Sequence, residues 1–413
     1  MNTFKLFLAG ASALALSTSV HATDLEVTHW WTSGGEAAAV AEFARMFDAT
    51  GNKWVDGAIA GGGGTARPVM ISRITGGDPM AATQFNHGRQ AEELVEAGLM
   101  LDLTELAEKE GWKDIVNPPS LLDSCTLDGK IYCVPVNIHS PQWLWLSHAA
   151  YEKAGVAVPT NWDEFVAAAP KLREAGIQPL ALGQQPWQSN LLFGAVQIGV
   201  GGLDLWKQIN LEKDVAAASG PEMAKVFQAM ADARDMADGS NVQDWNQATN
   251  MVITGTAGGQ IMGDWAKGEF MAAGKVPGED FLCASAPGEG FLYNVDSFAM
   301  FDVDGEDKKA GQQLLAELVV GQNFQKVFNL NKGSIPARTD VALDEFDDCA
   351  RLSADDMQAS SDGDALLPSY AHGMALRGAQ GGAITDVVTA HFNSDMSSAD
   401  AVQMLADGIA NSM

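Results

Sequence analysis

The sequence predicts an α/β fold with a mostly parallel, helix-covered sheet, in a chain long enough for two domains. Strand-like and helix-like patterns alternate along the chain, which is typical of this class. The 413 residues are 46% hydrophobic and 19% charged, so the chain has enough apolar material for packed cores. The formal net charge of −28 argues against nucleic acid or an anionic membrane as partner, because both need a basic surface.

Residues 1–22 have the pattern of a secretory signal peptide. Lys5 precedes an apolar run over residues 6–16, and small residues lead to Val20-His21-Ala22. Cleavage after Ala22 would leave a net charge of 24 − 53 = −29. The alternative is a buried N-terminal helix. No later stretch reaches the length of a membrane span and no lipidation cysteine follows, so we expect an exported, soluble protein.

Hydrophobic periodicity predicts the order of the elements. A strand over residues 25–30 alternates with period two, and residues 35–47 carry apolar side chains at helical spacing. Further helices are predicted at 69–74, 89–97, 162–173, 191–200 and 222–236. Further strands are predicted at 81–85, 259–263 and 291–300.

The glycine run Gly61-Gly62-Gly63-Gly64 is interpreted as a flexible turn. A phosphate-binding loop would need Gly-Lys-Ser/Thr, and a dinucleotide fingerprint would need G-x-G-x-x-G between a strand and a helix. Thr65-Ala66-Arg67-Pro68 follows instead. We therefore expect no nucleotide at this position.

Four cysteines in an exported chain favour disulfides over a metal site, since none of their spacings is C-x-x-C. Cys125 and Cys133 flank a hairpin signal at Asp128-Gly129. A three-residue loop over 128–130 would set the two cysteines opposite each other. Cys283 and Cys349 then pair by elimination. We expect neither a metal nor a cofactor.

Three stretches carry a resemblance to a known family: Tyr151-Glu152-Lys153-Ala154-Gly155 with the following Pro159-Thr160-Asn161-Trp162-Asp163-Glu164-Phe165, residues 128–136 (DGKIYCVPV), and residues 331–338 (NKGSIPAR). They resemble the extracellular solute-binding proteins of sugar ABC transporters. Shorter matches at 29–36 (HWWTSGGE), 137–139 (NIH), 263–266 (GDWA) and 296–298 (DSF) resemble the glucose/galactose-type branch of the periplasmic binding proteins.

The resemblance implies a two-lobed periplasmic binding protein fold of type II, similar to maltose-binding protein. One lobe would hold residues 23–137 and 298–334, the other residues 138–297 and 335–413, with ligand in the cleft between them. The implied function is capture of a neutral sugar, a glucose-like monosaccharide, by hinge closure and its delivery to the permease subunits of an ABC transporter. The resemblance further implies a monomer in the periplasm and no enzymatic activity.

A sugar site needs planar side chains for the C–H faces and hydrogen-bonding groups for the hydroxyl rim. Trp265 is the first candidate for the stacking platform. Trp30 and Trp31 are adjacent on a strand and point to opposite faces, so at most one of them stacks on ligand. Asp296 lies in an apolar strand and is costly to bury unless it accepts hydrogen bonds.

The remaining candidates would form the rim. Lys332 is expected to pair with Glu36 or Asp296, although a solvated loop lysine is the alternative. Glu36 and Asp264 have structural alternatives, as dipole compensation and a helix cap. The complete predicted set is Trp30, Trp31, Glu36, Gln84, His87, Asn137, His139, Trp187, Asp264, Trp265, Asp296, Lys332 and His372.

A secreted carbohydrate-active hydrolase is the alternative function. It would need two carboxylates at a defined separation, one of them with a raised pKa. The sequence contains neither an H-E-x-x-H nor a G-x-S-x-G motif. Acidic residues are abundant, but none lies in a catalytic signature.

Overall fold

Two helix-covered sheets form the two lobes of the protein in the computed structural model, which describes residues 22–160, 162–285 and 289–413. The predicted α/β, two-lobed architecture is confirmed. The signal peptide predicted over residues 1–22 lies outside the described residues apart from Ala22. Among the described residues, no helix combines the length and the apolar character that crossing a bilayer requires.

Strands and helices alternate as predicted over residues 24–96, after which three more helices and three short strands follow. They are β1 (Asp24–His29), α1 (Gly34–Asp48), β2 (Lys53–Ala58), α2 (Gly62–Thr75), β3 (Ala82–Asn86), α3 (Glu92–Glu96), α4 (Thr104–Lys109), α5 (Trp112–Ile115), α6 (Ser120–Asp123), β4 (Thr126–Leu127), β5 (Lys130–Ile131) and β6 (Val134–Pro135).

The middle of the chain is rich in helices. It contains β7 (Trp143–Ser147), α7 (His148–Ala154), α8 (Trp162–Glu174), β8 (Gln178–Leu180), α9 (Pro186–Val196), α10 (Gly202–Lys207), α11 (Val215–Ala218), α12 (Pro221–Ala237), α13 (Trp245–Ile253), β9 (Ala257–Met262), α14 (Ala266–Ala272) and β10 (Phe281–Ser285). Two π-helical segments, Gln197–Gly201 and Gln208–Glu212, flank α10.

The last part of the chain returns to both lobes. Its elements are β11 (Phe291–Tyr293), β12 (Asp296–Met300), α15 (Glu306–Val320), α16 (Gln322–Lys332), α17 (Asp348–Asp362), β13 (Leu366–Pro368), α18 (Gly378–Phe392) and α19 (Ser398–Ser412). The predicted strand over 291–300 was wrong as a single element, because β11 pairs with β13 whereas β12 joins the large sheet of the first lobe.

Both large sheets are mixed, so the prediction of a mostly parallel sheet was wrong. The first sheet has the order β2-β1-β3-β12-β6, in which β12 runs antiparallel to β3 and β6. The second has the order β10-β7-β9-β8, in which only β8 and β9 are parallel. Strand β12 enters the first lobe directly from the second, without the helical crossover that makes neighbouring strands parallel.

Apolar side chains of the strands and helices form a separate core in each lobe. In the first, Phe43 of α1 packs against Trp31, Phe298 and Phe328, with ring centroids 4.5 to 5.8 Å apart. The second core surrounds β7 and β9. Helix α1 turns one apolar stripe, which includes Phe43, towards the first core, and this pattern made the helix predictable from the sequence.

Two lobe boundaries differ from those expected. The boundary between residues 297 and 298 divides β12, although the whole strand lies in the first sheet. Ile335, Ala337 and Phe346 were expected in the second lobe but pack in the core of the first. The helices α18 and α19 contribute to the second core, as expected.

The predicted flexible turn at Gly61–Gly64 was wrong. Gly61 is the N-cap of α2 with φ +102°, and helix begins at Gly62. Glycine reaches this left-handed conformation without the steric cost that a Cβ atom imposes. The glycine run is therefore the start of a helix.

Both predicted disulfides are present, Cys125–Cys133 and Cys283–Cys349. The prediction of a three-residue hairpin loop was wrong, since Leu127 pairs with Lys130 and leaves a two-residue turn. Asp128 and Gly129 in that turn both have positive φ, 52° and 78°, which is the conformation of a type I′ turn. The two cysteines lie just outside the paired residues of β4 and β5 and form the disulfide there, with Cα atoms 5.5 Å apart.

We expect the two disulfides to stabilise the fold unequally, because the sequence separations they bridge are 66 and 8 residues. On the chain-entropy account, Cys283→Ala/Cys349→Ala should lower the free energy of unfolding by about 4 kcal/mol and Cys125→Ala/Cys133→Ala by about 2.5 kcal/mol. Guanidinium unfolding of both double variants measures the difference. A larger loss for the short loop would contradict the entropic account.

Candidate functional site

A cleft of about 860 Å³ lies between the lobes and collects most of the predicted site residues. Its first-lobe wall is formed after the carboxyl end of β1 and at the start of α2. Its second-lobe wall is formed by Trp187 and Trp245 in the first turns of α9 and α13 and by Trp265, which precedes α14. Of the thirteen predicted residues, those that line the cleft are Trp30, Trp31, Glu36, His139, Trp187, Trp265, Asp296, Lys332 and His372. Those that do not are Gln84, His87, Asn137 and Asp264.

The carboxylate of Asp296 lies at the floor of the cleft and is 4% exposed. Gln84 Nε2 and Asn86 Nδ2, both from β3, each donate to Asp296 Oδ1 at 3.0 Å. Gln84 in turn accepts at Oε1 from the backbone N–H of Trp30 at 2.9 Å. Gln84 therefore supports the site from behind, by holding Asp296 and the backbone of Trp30.

The second oxygen of Asp296 accepts three more hydrogen bonds. Trp31 Nε1 donates at 3.2 Å, Asn137 Nδ2 at 3.4 Å and His139 Nε2 at 3.0 Å. Asn137, like Gln84, therefore positions Asp296 from outside the cleft. All these partners compensate for the removal of a carboxylate from water.

His139 joins the two lobes through its two ring nitrogens. Nδ1 is hydrogen-bonded to Asp264 of the second lobe and Nε2 to Asp296 of the first. Burial by itself lowers the pKa of His139, but the two carboxylates outweigh it and raise that pKa above its ordinary value. An imidazolium that donates to both carboxylates is the form this geometry stabilises.

The charge on His139 also acts on Asp296. Burial would raise the pKa of Asp296, but the hydrogen bond and positive charge of His139, together with Lys332, hold it well below its usual range. Asp296 is therefore ionised across the physiological pH range. This direction is opposite to that of a carboxyl group acting as a general acid.

A second buried ion pair joins Glu36 to Lys332 at 2.8 Å, one of the two pairings that the sequence suggested. Both residues are less than 10% exposed. Glu36 Oε2 also accepts from the backbone N–H groups of Thr32 and Ser33, at 3.2 and 3.3 Å, at the start of α1. Glu36 thus caps its own helix and neutralises Lys332.

Trp265 presents its indole to the cleft among polar side chains. The His139 ring meets it edge-on at 5.0 Å, the His372 ring at 5.7 Å, and Lys332 Nζ lies 5.8 Å from its centroid. A Cβ atom at position 263 would lie 2.2 Å from the indole, so Gly263 is required for this orientation. The Gly-Asp-Trp sequence therefore has a steric explanation.

Trp30 and Trp31 were expected on a strand but follow the end of β1, and their side chains pack in different parts of the first lobe. Trp31 is 2% exposed and packs in the first core, while Trp30 is half-buried and faces the cleft. The guanidinium of Arg67 lies 5.2 Å from the centroid of the Trp30 ring. Trp31 therefore contributes to the site through the hydrogen bond from its Nε1 to Asp296.

The structure separates the two predicted loop histidines. His372 lines the cleft, and its Nδ1 forms a hydrogen bond of 2.8 Å with Ser369 Oγ. Burial lowers the pKa of His372 to about 3. His87 lies outside the cleft, against Ser297 and beside the Cys125–Cys133 disulfide. Burial lowers its pKa to about 3. The sugar contact predicted for His87 is therefore not supported by its position.

Within the part of the chain that the structure describes, His87 and the two sulfurs beside it form the one group with metal-ligand spacing. Both sulfurs are bonded to each other in the disulfide, so neither is a thiolate. This cluster is therefore not a candidate metal site.

Sequence analysis missed several lining residues. These are Arg67, Asn86, Gln185, Asp244, Trp245 and Tyr370. Arg67 was not predicted as a site residue because the glycine run before it was interpreted as a turn. Trp187 Nε1 donates to Gln185 Oε1 and Gln185 Nε2 donates to Asp244 Oδ1, both at 2.7 Å. Only the tryptophan content of this region indicated a binding surface.

We expect His139→Gln to destabilise the protein in a pH-dependent way. A group whose pKa is raised on folding contributes stability below its unfolded pKa, about 6.5, and loses it as the pH rises through the folded value. The gap in unfolding free energy between wild type and variant should therefore be widest below pH about 6.5 and narrow above it. Urea unfolding over this range measures the gap. A gap that widens with pH would contradict the charged His139 bridge.

Comparison with known proteins gives consistent matches along the chain. Residues 59–355 match the family described as bacterial extracellular solute-binding protein. A probable sugar-binding periplasmic protein of Rhizobium meliloti (strain 1021) is 41% identical over 414 residues, which cover 99% of each chain. A protein of the same description from Brucella melitensis biotype 1 is 42% identical over 412 residues, covering 97% of each.

Solved structures share the fold at low sequence identity. The bacterial solute receptor AcbH, described as having an exclusive preference for β-D-galactopyranose, has a TM-score of 0.79 at 15% identity, covering 95% of this chain and 98% of its own. Maltose-bound MalE3 of T. maritima has a TM-score of 0.73 at 18% identity, covering 95% of this chain and 100% of its own.

Proposed function

The chain belongs to the bacterial extracellular solute-binding protein family, and on that premise we propose that it is the periplasmic sugar-binding component of an ABC transporter. It captures its ligand between the two lobes and presents it to the permease subunits, as a monomer. The finer part of the proposal is that the ligand is a neutral, glucose-like monosaccharide. The observation that carries it is Trp265, an indole held at the cleft among groups suited to hydroxyls.

The Trp265 environment matches the two chemistries of a sugar ring. A ring with equatorial hydroxyls has C–H faces, and these pack on the negative face of an indole. Its rim carries hydroxyls that both donate and accept. Glu36 and Lys332 supply charged partners for such hydroxyls, and hydrogen bonds to charged groups are roughly twice as strong as neutral ones.

His372 completes the rim as a neutral partner. Because its pKa is about 3, it is uncharged at neutral pH and has one nitrogen that donates and one that accepts. Ser369 occupies Nδ1, which leaves Nε2 for a ligand hydroxyl. Asp296 already accepts five hydrogen bonds, so we assign it the role of organising the floor of the site.

The charges of the cleft support binding rather than hydrolysis. A glycoside hydrolase needs one carboxyl group with a raised pKa and a second free carboxylate. The pKa of Asp296 is lowered instead, and Glu36 is committed to Lys332. Members of the matched family are substrate-binding proteins, and the same class describes this chain.

Closure of the lobes follows from the position of the site. Ligand contacts come from both lobes, so the ligand stabilises the conformation in which both sets of contacts are made. His139 bridges the lobes beneath that ligand position. Residues from a chain crossing thus connect ligand binding to the hinge.

We expect D-glucose to stabilise the purified protein against thermal unfolding. At about 100 times its Kd, the sugar should add about 2.7 kcal/mol to the free energy of unfolding. D-galactose, D-xylose and maltose serve as comparison ligands, and chromatography should recover the sugar unchanged. Stabilisation by maltose alone would contradict the monosaccharide assignment, and failure of every sugar would contradict the function itself.

Replacement of the platform provides a second test. We expect Trp265→Ala to weaken sugar binding by about 2–4 kcal/mol, because truncated tryptophans at the centre of a binding surface give losses of this size. Trp162→Ala is a matched control, because Trp162 is 6% exposed and Trp265 is 7% exposed, but Trp162 lies outside the cleft. Calorimetric titration of both folded variants measures the effect. Equal losses in the two variants would refute the platform role.

A further inference from the structure

The start of α2 opens onto the cleft with no acidic residue in its first turn. The first N–H groups of a helix lack partners within the helix and carry partial positive charge. At α1, which also begins at the cleft, Glu36 neutralises that end. At α2 the positions are Gly62, Gly63 and Gly64, so the backbone itself faces the cleft.

Arg67 brings a full positive charge to the same place. A Cβ atom on Gly63 would lie 3.2 Å from Arg67 Nη2, so the guanidinium folds back over the first turn of its own helix. Its single hydrogen-bond partner among the described residues is Asn86 Oδ1, and its Nε is buried without a partner. Burial lowers the pKa of Arg67 to about 10, so the group stays charged at neutral pH.

This arrangement differs from that of the two buried lysines that the structure describes, Lys332 and Lys267. Lys332 pairs with Glu36 at 2.8 Å and Lys267 with Asp347 at 3.0 Å. Among the described residues, no carboxylate forms an ion pair with Arg67, and the negative charge of Asp296 acts on it only at longer range, across Asn86. Arg67 is only partly buried, and its open side faces the ligand cleft, where an anionic group of the ligand would supply the ion-pair partner that the protein does not.

We propose that Arg67 and the first turn of α2 form an oxyanion subsite, which takes the carboxylate or phosphate group of an acidic glucose-like sugar. Guanidinium groups bind planar oxyanions through two parallel hydrogen bonds, and helix N-termini bind them through backbone N–H groups. Both kinds of donor converge here. The inference rests on the proposed function for the glucose-like ring, which would occupy the Trp265 end of the cleft, and it replaces the neutral character named there with an acidic substituent.

Trp187 connects the two ends. Its Nε1 lies 3.6 Å from the position of a Cβ atom on Gly62, and its ring centroid lies 6.3 Å from that of Trp265. A ligand whose ring contacts Trp265 therefore reaches the start of α2 along Trp187. The net charge of −28 repels anions from the protein in general, so any preference for an acidic sugar must come from a local site.

The test compares D-glucose with D-glucuronate and D-glucose 6-phosphate by calorimetric titration of the full chain. At least one acidic sugar should bind about tenfold or more tightly than D-glucose, and salt should reduce this ratio. Titrations with acetate and with inorganic phosphate, each without sugar, show whether the subsite binds a free anion. If the free anions bind and neither acidic sugar has an advantage, the acidic-sugar assignment is overturned.

Two variants of α2 test whether Arg67 causes the preference for acidic sugars. Arg67→Gln should lower the ratio of acidic to neutral affinity severalfold, to the part that the helix terminus alone contributes. Arg73→Gln removes the same charge from the same helix, but Arg73 pairs with Glu26 away from the cleft, so the ratio should remain. A ratio that survives Arg67→Gln, or falls equally in Arg73→Gln, overturns the inference.

The helix terminus is tested independently at Gly64, where an added Cβ atom would meet nothing within 4 Å. Gly64→Asp places a carboxylate in the first turn and should reduce the ratio, whereas the isosteric Gly64→Asn should not. Equal ratios in these two variants overturn the role of the helix terminus. If D-glucose binds and no acidic sugar binds more tightly, this inference fails while the proposed function stands; if no sugar binds at all, the proposed function fails.

Discussion

The buried carboxylate of Asp296 is the constraint on which the cleft depends. A carboxylate removed from water is stable only when its oxygens accept hydrogen bonds and a nearby cation balances its charge. Those requirements draw in side chains from β3, from the residues after β1 and from a chain crossing. The floor of the site is rigid because breaking any of these bonds would leave a buried charge undercompensated.

Charge balance separates the cleft into two parts with different chemistry. Around Trp265 the charges are internally paired, through His139 with Asp264 and Asp296 and through Lys332 with Glu36. Paired charges recognise hydroxyls without demanding a charged ligand. At the start of α2 the positive charge of Arg67 is unpaired, so that part of the cleft is selective for a different group. The contrast between α1, which carries its own Glu36, and α2, which begins with glycines, follows directly from the sequence.

Local patterns predicted the elements well and their assembly less well. The predicted ranges for β1, α1, α8, α12 and β9 agree with the structure to within a few residues, because each buries one face or one stripe of apolar side chains. The direction of a strand in its sheet could not be predicted from local patterns. Strand β12 is antiparallel to β3 because the chain re-enters the first lobe from the second. Gly61–Gly64 was misinterpreted because glycine is typical of turns and also caps helices with positive φ.

The sequence by itself determined the α/β class, the family resemblance, the disulfide pairs and most of the residues that meet at the cleft. These depend on periodicity, composition and short motifs, which are properties of neighbouring residues. Only the tertiary structure decided that Gln84, Asn137 and Asp264 support the site from behind, that His87 lies elsewhere, and that Arg67 faces the cleft. Hydrogen bonds between residues more than 100 positions apart define the roles of Gln84, Asn137 and Asp264, and a linear pattern contains no distance between such residues.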